Sequence, residues 1–325
     1  MPDARLHLPP ATTAPVTESI LVIRHGGLRG IVQALGPLKA IRSYHPRARI
    51  TLLTTAPYAD FLRASGYADM VCSDPLPLFR PSGWRILLRR LHGEDFDRVY
   101  DLQCSLRSSL YFGLMPLPRP EWSGTAWGCS RPYVNPGRGP QHPVERMAEQ
   151  LRQSGIPVSG PAELDWADAD IRSFALPRRY VLLLPGGRRH KGANAFWPPD
   201  HYAKLARALV ADGIAPVLIG DDGDAPAIGK IAAAAPGSID LAGRTTPFDL
   251  VAMARACLLA VGNDTGALHL LAAAGAPTLA LFSAVADPAL AAPRGDLVRI
   301  LRAAALRVVP VEEVLAVLAQ MERPA

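Results

Sequence analysis

The sequence predicts an α/β protein of two similar-sized domains that face each other across a cleft. Short apolar runs alternate with amphipathic helical stretches along most of the chain, which is typical of parallel strands with helices on both faces of the sheet. The alternation is interrupted by a Pro- and Gly-containing stretch and begins again at the apolar run YVLLLP, residues 180–185. A length of 325 residues also fits about two domains. The simplest assembly is a pair of Rossmann-like, doubly wound domains.

In the first half, a Pro- and Thr-rich leader, residues 1–18, precedes the first apolar run, SILVIR. Runs of this kind predict strands at 19–24, 51–55, 69–72 and 98–102. Amphipathic stretches between and after them predict helices at 31–43, 57–65, 84–91 and 144–154. Residues 116–143 are rich in Pro, Gly, Trp and Arg without clear periodicity, so they predict a long irregular segment of the kind that often has a function.

The second half repeats the alternation after a boundary that we place at about residues 165–178. Its apolar runs predict strands at 180–185, 215–220, 257–262, 278–282 and 297–301. Its helical stretches lie at 200–211, 225–235, 247–255, 267–274 and 311–322. Residues 265–286 carry no formal charge, but Gly, His and Pro interrupt them, so they read as a buried helix and strand in preference to a membrane span.

Composition excludes several classes of protein. Thirty-five basic against 29 acidic residues give a formal charge of +6, and most basic residues are arginine, which allows anionic partners without indicating a nucleic-acid-binding protein. The four cysteines are far apart and form no C-x-x-C pair, so neither a disulfide framework nor a zinc site is predicted. The leader has no apolar signal-peptide core, and together these features predict a cytoplasmic protein.

A glycine pair follows the first strand of the second half in the run LPGGRRHKG. Gly186 and Gly187 would let the backbone approach a ligand, and the basic residues after them, Lys191 included, would attract an anion. The run is neither a G-x-x-x-x-G-K-[ST] loop nor a G-x-G-x-x-G fingerprint. A solvated basic turn is the alternative, but its position at the carboxyl end of a strand favours a phosphate site.

A second turn, GNDTG, joins the strand 257–262 to an apolar helix. Asp264 or Thr265 can cap that helix, which leaves the N–H groups near Gly266 and the positive end of the helix dipole facing the cleft. His269 lies in the first turn of the same helix. Each residue alone would read as a cap or as a core histidine. Together, at the end of a central strand, they predict a site for a diphosphate.

These two motifs, with the opening run ILVIRHGGLRGIVQALGPLKAIRSYHPRARITLLTT, resemble glycosyltransferase family 9, the lipopolysaccharide heptosyltransferase family. The resemblance implies a GT-B fold, with an acceptor-side domain, 19–170, and a nucleotide-sugar-binding domain, 171–325. It implies inverting transfer without a metal ion from a nucleotide sugar, typically ADP-heptose, to a cell-envelope glycan. It matches the donor site to Gly186, Gly187, Asp264, Thr265, Gly266 and His269, and a basic residue of the first loop to Arg24.

Two positions depart from the family pattern. Family members usually carry Gly-Asp in the first loop, and the aspartate is the proposed general base, whereas this chain has Arg29 and Gly30 there. The family also usually places a lysine, which meets donor phosphate, two residues before a Trp-Pro pair. Here that position is Ala195, and Lys191 is the candidate to replace the lysine.

A missing base leaves two interpretations of the function. An active glycosyltransferase would need another proton acceptor, and His25 lies in the same loop with an ordinary pKa of ~6.5. Asp101 and Gln103, at the end of strand 98–102, form a second candidate place, where they would orient loops or acceptor. The alternative is a catalytically impaired relative that keeps the nucleotide-sugar pocket for binding or assembly.

The predicted partners follow from the resemblance. They are an ADP-linked nucleotide sugar and a lipopolysaccharide-type glycan, with no separate cofactor and no nucleic acid. Four arginines lie on or beside the predicted helix 84–91, namely Arg80, Arg85, Arg89 and Arg90. A solvated helix face is the simplest interpretation of them, and peripheral contact with anionic lipid at the inner membrane is the functional one.

Overall fold

The structure is a computed structural model that describes residues 18–74, 81–137, 139–160, 163–186 and 196–321. The strands are β1 Ser19–Ile23, β2 Arg49–Thr54, β3 Met70–Ser73, β4 Arg98–Asp101, β5 Glu121–Gly124, β6 Arg131–Pro132, β7 Tyr180–Leu184, β8 Ala215–Leu218, β9 Ile239–Asp240, β10 Leu259–Asn263, β11 Thr278–Ser283 and β12 Val298–Ala303. The α-helices are α1 Leu28–Tyr44, α2 Ala59–Ala64, α3 Pro81–His92, α4 Leu106–Leu114, α5 Pro143–Gln153, α6 Pro199–Ala211, α7 Ala225–Ala234, α8 Pro247–Ala256, α9 Gly266–Ala273, α10 Pro288–Ala291 and α11 Val311–Ala319.

The strands form two parallel six-stranded sheets with the same internal order. The first runs β3-β2-β1-β4-β5-β6, and the second runs β9-β8-β7-β10-β11-β12. Numbered from its own first strand, each sheet has the order 3-2-1-4-5-6, which is that of a doubly wound nucleotide-binding domain. The predicted fold class, two Rossmann-like domains, is therefore confirmed. The order reverses between β1 and β4 in the first sheet and between β7 and β10 in the second, and these switch points are where such sheets bind ligands.

Alternate side chains of β1 pack into different core clusters, so the first sheet is covered on both faces. Ile20 and Val22 join the core cluster that α1 packs against, whereas Leu21 and Ile23 join the cluster that contains residues of α3 and α4. Side chains of successive strand residues point to opposite faces, so one apolar run supplies both cores. The strand is buried on either side, as expected for a central parallel strand.

The two domains share one hydrophobic core where α1 packs against α9. Residues of the first domain, such as Leu35, and of the second, such as Leu271, belong to the same buried cluster. At the cleft end of this contact, a Cβ on Gly266 would lie 2.8 Å from the Arg29 nitrogen and 3.0 Å from Leu28 Cβ. Any side chain larger than hydrogen at this position would push the helices apart. The close contact fixes the starts of α1 and α9 relative to each other.

Several boundaries differ from the sequence prediction. Helix α1 begins at Leu28, three residues before the predicted start, so Arg29 and Gly30 lie in its first turn and not in a loop. The segment 116–143, predicted to be irregular, contains β5 and β6, and α4 was not predicted at all. These elements complete the six-stranded first sheet. The division of the chain near residue 170 stays a prediction, but it falls between α5 and β7.

No helix in the described ranges is long and apolar enough to cross a membrane. The uncharged stretch 265–286 contains α9 and the whole of β11, both largely buried.

Candidate functional site

The predicted site residues lie at the two switch points. Arg24 and His25 follow β1, and Asp101 ends the neighbouring strand β4. In the second domain, Gly186 follows β7 and Asp264 follows the neighbouring strand β10. Carboxyl ends of adjacent parallel strands meet at one edge of a sheet, so each pair is brought together although its members are far apart in sequence.

The start of α9 is built from the D-T-G motif. Thr265 is the N-cap, because its extended backbone precedes the helix and its hydroxyl accepts the Leu268 N–H. Of the two predicted caps, Asp264 therefore serves a different role. Its Oδ1 lies 3.3 Å from Nε2 of His269, one turn into the helix. Cap and carboxylate together leave the positive end of α9 at the cleft edge of the sheet.

Asn263 links the two turns of the second domain, and the sequence reading missed it. Its side chain is fully buried and donates from Nδ2 to the carbonyls of Pro185, at 3.2 Å, and Gly186, at 3.3 Å. Its Oδ1 accepts the Trp197 N–H at 3.1 Å. One amide thus holds the PGG turn beside the D-T-G turn. The only sequence signal for this role was the asparagine in GNDTG, an amide where the strand was expected to end.

Gly186 lies close to a carboxylate of the second domain. A Cβ on this residue would clash with the carboxylate of Asp224, at the N-cap of α7. Gly186 therefore has no room for a side chain, and the approach of the glycine pair to a ligand stays a prediction. The other residues predicted for this turn, Gly187 and Lys191, lie outside the described residues, as does Ala195.

Arg29 crosses the cleft. From the first turn of α1, its Nη2 lies 2.5 Å from Oδ1 of Asp264 and donates to the Asp264 carbonyl at 2.9 Å. Arg29 was predicted on the acceptor side, and its side chain contacts the donor-side motif. The ion pair joins the two domains at the start of α9, and both partners are largely buried, with 31% of the arginine and 7% of the aspartate side chain exposed.

A cavity of about 520 Å³ opens at this ion pair. Its walls come from both domains and include Leu28, Arg29, Tyr58, Leu184, Gly186, Ile219, Asp221, Asp222, Asp224, Pro247, Leu250, Asp264, Thr265, Gly266 and Ala267. The volume is within the ~300–1,000 Å³ range of small-molecule and cofactor sites. Apolar walls with carboxylates and a helix start at one end suit a nucleoside diphosphate, whose base needs an apolar slot and whose ribose needs acceptors for its hydroxyls.

Arg24 donates hydrogen bonds to two backbone carbonyls at the first switch point. Its Nε donates to the Gly30 carbonyl at 3.0 Å and its Nη1 to the Leu102 carbonyl at 3.3 Å. Burial lowers the pKa of this guanidinium to about 10. A Cβ on Gly30 would lie 3.1 Å from Arg24 Nη2, so a side chain at position 30 would face a buried cation.

His25 contacts a carboxylate that was not predicted. Its Nε2 lies 3.1 Å from Oδ2 of Asp74, the residue after β3, and its ring meets the Tyr111 ring edge to face. Asp74 also accepts from Arg107, at 2.6 and 3.0 Å, and from the Tyr111 hydroxyl. Burial lowers the His25 pKa to about 4, against the opposing pull of Asp74. The imidazole is therefore neutral at pH 7.

Asp101 and Gln103 hold the loop after β4. Oδ1 of Asp101 accepts the N–H groups of Gln103, at 3.1 Å, and Cys104, at 2.9 Å. Oε1 of Gln103 accepts the His25 N–H at 3.1 Å, which ties this loop to the one after β1. Burial raises the pKa of Asp101 to about 6. Both side chains act on backbone groups within hydrogen-bond distance, so they orient the two loops of the first switch point.

Within the described ranges, no three His, Cys, Asp or Glu side chains gather in a way that could hold a metal ion. Metal independence remains an expectation.

Comparison with known proteins gives the class and then the family. Solved structures with the same architecture include the glycosyltransferase family 9 protein of Veillonella parvula, with a TM-score of 0.81, 17% identity and 94% of this chain covered against 97% of that one. The ADP-heptose lipopolysaccharide heptosyltransferase II of E. coli gives a TM-score of 0.74 at 23% identity, covering 93% of this chain and 99% of the other. The fold is thus that of the GT-B glycosyltransferases, as predicted.

The family follows from the sequence comparisons. The family model described as glycosyltransferase family 9 (heptosyltransferase) matches residues 84–310. Lipopolysaccharide heptosyltransferase 2 of Escherichia coli is 34% identical over 289 residues, which are 81% of this chain and 82% of the relative, and the Salmonella typhimurium protein of that name is 34% identical over 293 residues with the same coverage. This chain belongs to glycosyltransferase family 9.

Proposed function

We propose that this chain transfers a heptose or a related sugar from an ADP-linked donor to a lipopolysaccharide-type glycan, with inversion at the anomeric carbon and without a metal ion. The observation that carries the proposal is the D-T-G turn at the second switch point, which caps α9 beside a cavity of about 520 Å³. Family membership supports glycosyltransfer and does not favour an impaired binding protein. The named relatives at 34% identity are lipopolysaccharide heptosyltransferases.

In this proposal, the donor diphosphate lies between Gly186 and the start of α9. Helix N–H groups and the positive dipole end favour the phosphates there. Asp264 and Thr265 form the polar edge of the site, with His269 beside the Asp264 carboxylate, and Gly186 lies on the opposite wall. Gly187 and Lys191 are proposed donor ligands from the sequence alone. The nucleotide sugar is the substrate, so no separate cofactor is required.

Calorimetric titration tests the placement of the donor. We expect the protein to bind ADP in preference to UDP or GDP, with affinity unchanged by EDTA. Replacing Asp264 or His269 by Ala should weaken ADP binding by about 1–3 kcal/mol, since a buried polar partner of the site is lost. Asp212→Ala, an exposed acid at the end of α6, is the matched control and should change nothing. Unchanged affinity in both site variants would refute the placement.

We propose that Gly30 marks the position of the family's aspartate and that His25 is the proton acceptor in its place. His25 is neutral at pH 7, and among the described residues its Nδ1 has no hydrogen-bond partner. Its Nε2 faces Asp74, so a proton taken up by the ring would be stabilised by a buried carboxylate. A pKa of about 4 makes the imidazole a weak base, which fits a slow enzyme better than a fast one.

We also propose a peripheral contact between the first domain and the cytoplasmic face of the inner membrane. The exposed apolar side chains Leu106 and Trp127 follow the adjacent strands β4 and β5, with 90% and 97% of each residue exposed. Leu110 is exposed one turn beyond Leu106. On the same face of the sheet, α3 presents Arg85 and Arg89 to solvent. Apolar groups inserted among headgroups and cations facing anionic lipid are the two contributions that hold a peripheral protein.

Vesicle sedimentation tests this contact. Of the four arginines that suggested it, Arg80 lies outside the described residues, so the test uses Arg85→Gln with Trp127→Ala. We expect the wild type to sediment with vesicles that contain anionic phospholipid, and the double variant to lose most of that binding, because about 1 kcal/mol per basic residue is removed together with the aromatic contact. Val308→Ala, an exposed apolar residue of the second domain, should bind as wild type. Equal sedimentation of all three proteins would contradict the contact.

A further inference from the structure

The donor cavity has a charge balance that is unfavourable for a diphosphate. Asp221, Asp222, Asp224 and Asp264 line it, and Arg29 is the one cationic side chain among the described residues that do so. A nucleoside diphosphate brings two or more further negative charges into the same space. Helix-end dipoles offset a part of this repulsion, about half an elementary charge per helix. A fixed cation near the phosphates is therefore needed.

Arg29 has the reach and the free donors for this role. Its contacts in the described part of the chain use Nη2, which lies against the carboxylate and the carbonyl of Asp264. A guanidinium carries five N–H donors in a planar fork, so Nε and Nη1 can bind a phosphate while Nη2 stays on the aspartate. The side chain is 31% exposed and lines the cavity, so a ligand can reach it.

The backbone of Arg29 is held where the phosphates would lie. Its nitrogen is at contact distance from Gly266, the first residue of α9. The first N–H groups of a helix have no partner within the helix and point along its axis, toward a bound anion. Arg29, from the first domain, and the start of α9, from the second domain, thus lie beside the same proposed phosphate position.

We infer that Arg29 is a ligand of the donor diphosphate, contributed across the cleft by the acceptor-side domain, and that Asp264 positions it. The inference rests on the proposed function and names a residue of that same site. The chain has Ala195 where the family usually has a phosphate-binding lysine, and Arg29 where the family usually has glycine. Arginine from the other side of the cleft supplies positive charge at the phosphates in addition to Lys191, the candidate that the sequence offers for the lysine, and it makes nucleotide binding depend on both domains.

Arg29 could also act indirectly, by neutralising Asp264. Without the guanidinium, the negative charge of the Asp264 carboxylate would be less well balanced, and it would repel the phosphates. A single substitution of Arg29 weakens ADP binding in either case. The two roles are separated by removing the carboxylate as well, because neutralisation is not needed once Asp264 is uncharged, whereas a lost phosphate ligand stays lost.

The experiment measures ADP and adenosine binding by calorimetry in the full chain. Arg29→Gln should weaken ADP binding by roughly 10–100-fold, the range for a charge-assisted hydrogen bond, and change adenosine binding less than about twofold. Asp264→Asn should also weaken ADP binding, since the arginine loses its support. The double variant should stay at least about 10-fold weaker than wild type. Arg294→Gln, which removes the interdomain ion pair with Glu145 outside the cavity, is the matched control and should bind ADP as wild type.

Three outcomes would overturn the inference. Wild-type affinity in Arg29→Gln would mean that the guanidinium does not meet the phosphates. Wild-type affinity in the double variant would mean that Arg29 only neutralises Asp264. Equal losses for ADP and adenosine would mean that the substitution disturbs the cavity as a whole. If the wild type bound no nucleotide, the proposed function itself would fail, and this result differs from the other three because it appears before any substitution.

Discussion

Replacing Gly30 by aspartate is expected to raise the rate of sugar transfer by about 10²-fold, because it places a carboxylate at the position that we propose for the family's general base. An inverting transferase must take a proton from the acceptor hydroxyl as the anomeric carbon is attacked. A well-placed base contributes ~10²–10⁴ to such a rate, and glycine contributes nothing. The expected gain is the difference between a carboxylate directed at the acceptor and the weakly basic His25.

The structure can accept this side chain. Gly30 lies in the first turn of α1, where aspartate is favoured by the helix dipole. The nearest atom to the new Cβ is Arg24 Nη2 at 3.1 Å, so this guanidinium, which donates through Nε and Nη1 to two backbone carbonyls, must shift by a few tenths of an ångström. Arg24 remains a cation at pH 7, since its pKa is about 10, so it will hold the new carboxylate in its ionised form.

The position of Arg29 also means that a single substitution is enough. A flexible Arg29 would pair with the new aspartate, but its guanidinium is held by Asp264 on the other side of the cleft. Gly30→Asp should therefore suffice with Arg29 unchanged. The control is Gly30→Asn, which has the same size and the same contact with Arg24 but cannot take a proton at neutral pH. Release of ADP from ADP-heptose in the presence of a lipopolysaccharide core acceptor gives the rate. Equal rates for the two variants would show that residue 30 does not face the acceptor hydroxyl.

Local sequence patterns predicted most of the fold because each domain repeats a simple rule. Apolar runs such as β1 and β7 are buried on both faces, and buried parallel strands read as continuous apolar runs. The elements that were missed obey the rule poorly. β6 has two residues, and β5 has the sequence EWSG, in which only Trp122 is strongly apolar. Their pairing depends on the neighbouring strand β4, which a local pattern does not contain.

The start of α1 was misplaced for a related reason. The sequence HGGLRG has three glycines in six residues, which favours a loop. Its N-cap, Gly27, makes no side-chain hydrogen bond, so no local capping signal marks the helix start. The contact with Gly266 of α9 stabilises this turn instead. Tertiary packing therefore outweighed local propensity at the start of α1.

Motifs placed the donor-side residues in one region, but the contacts between domains could not be predicted. Arg29 and Asp264 are 235 residues apart, and no sequence pattern pairs them. Asp74 was likewise missed, since a single aspartate after a short strand resembles any strand end. Its role follows only from the side chains that surround it, which are His25, Arg107 and Tyr111.

If His25 takes the proton, His25→Gln should lower kcat by a factor that depends on the residue at position 30. His25→Gln should lower kcat by about 10²-fold with little change in KM, because the ring takes a proton during the chemical step and the substitution keeps a polar side chain of similar size. The ring must be neutral to act, so the wild-type rate should be constant from about pH 5 to 8 and fall as the pH drops toward the His25 pKa of about 4. Burial sets this low value, and Arg107 and Arg24 lower it further while Asp74 opposes them.

The decisive comparison places His25→Gln in the Gly30→Asp background, where the new carboxylate takes the proton and the histidine becomes dispensable. The loss should then shrink from about 10²-fold to less than about threefold. The matched control is His45→Gln, a buried histidine of the same domain that also faces a carboxylate, Glu18 at 2.8 Å, but lies at the opposite end of α1. It should leave kcat unchanged in either background. If His25 only supports the loops, His25→Gln should lower kcat by the same factor in both backgrounds, because the contacts of the ring with Asp74 and Tyr111 do not depend on residue 30. Equal losses of kcat would therefore assign His25 to the structure of the site and not to proton transfer.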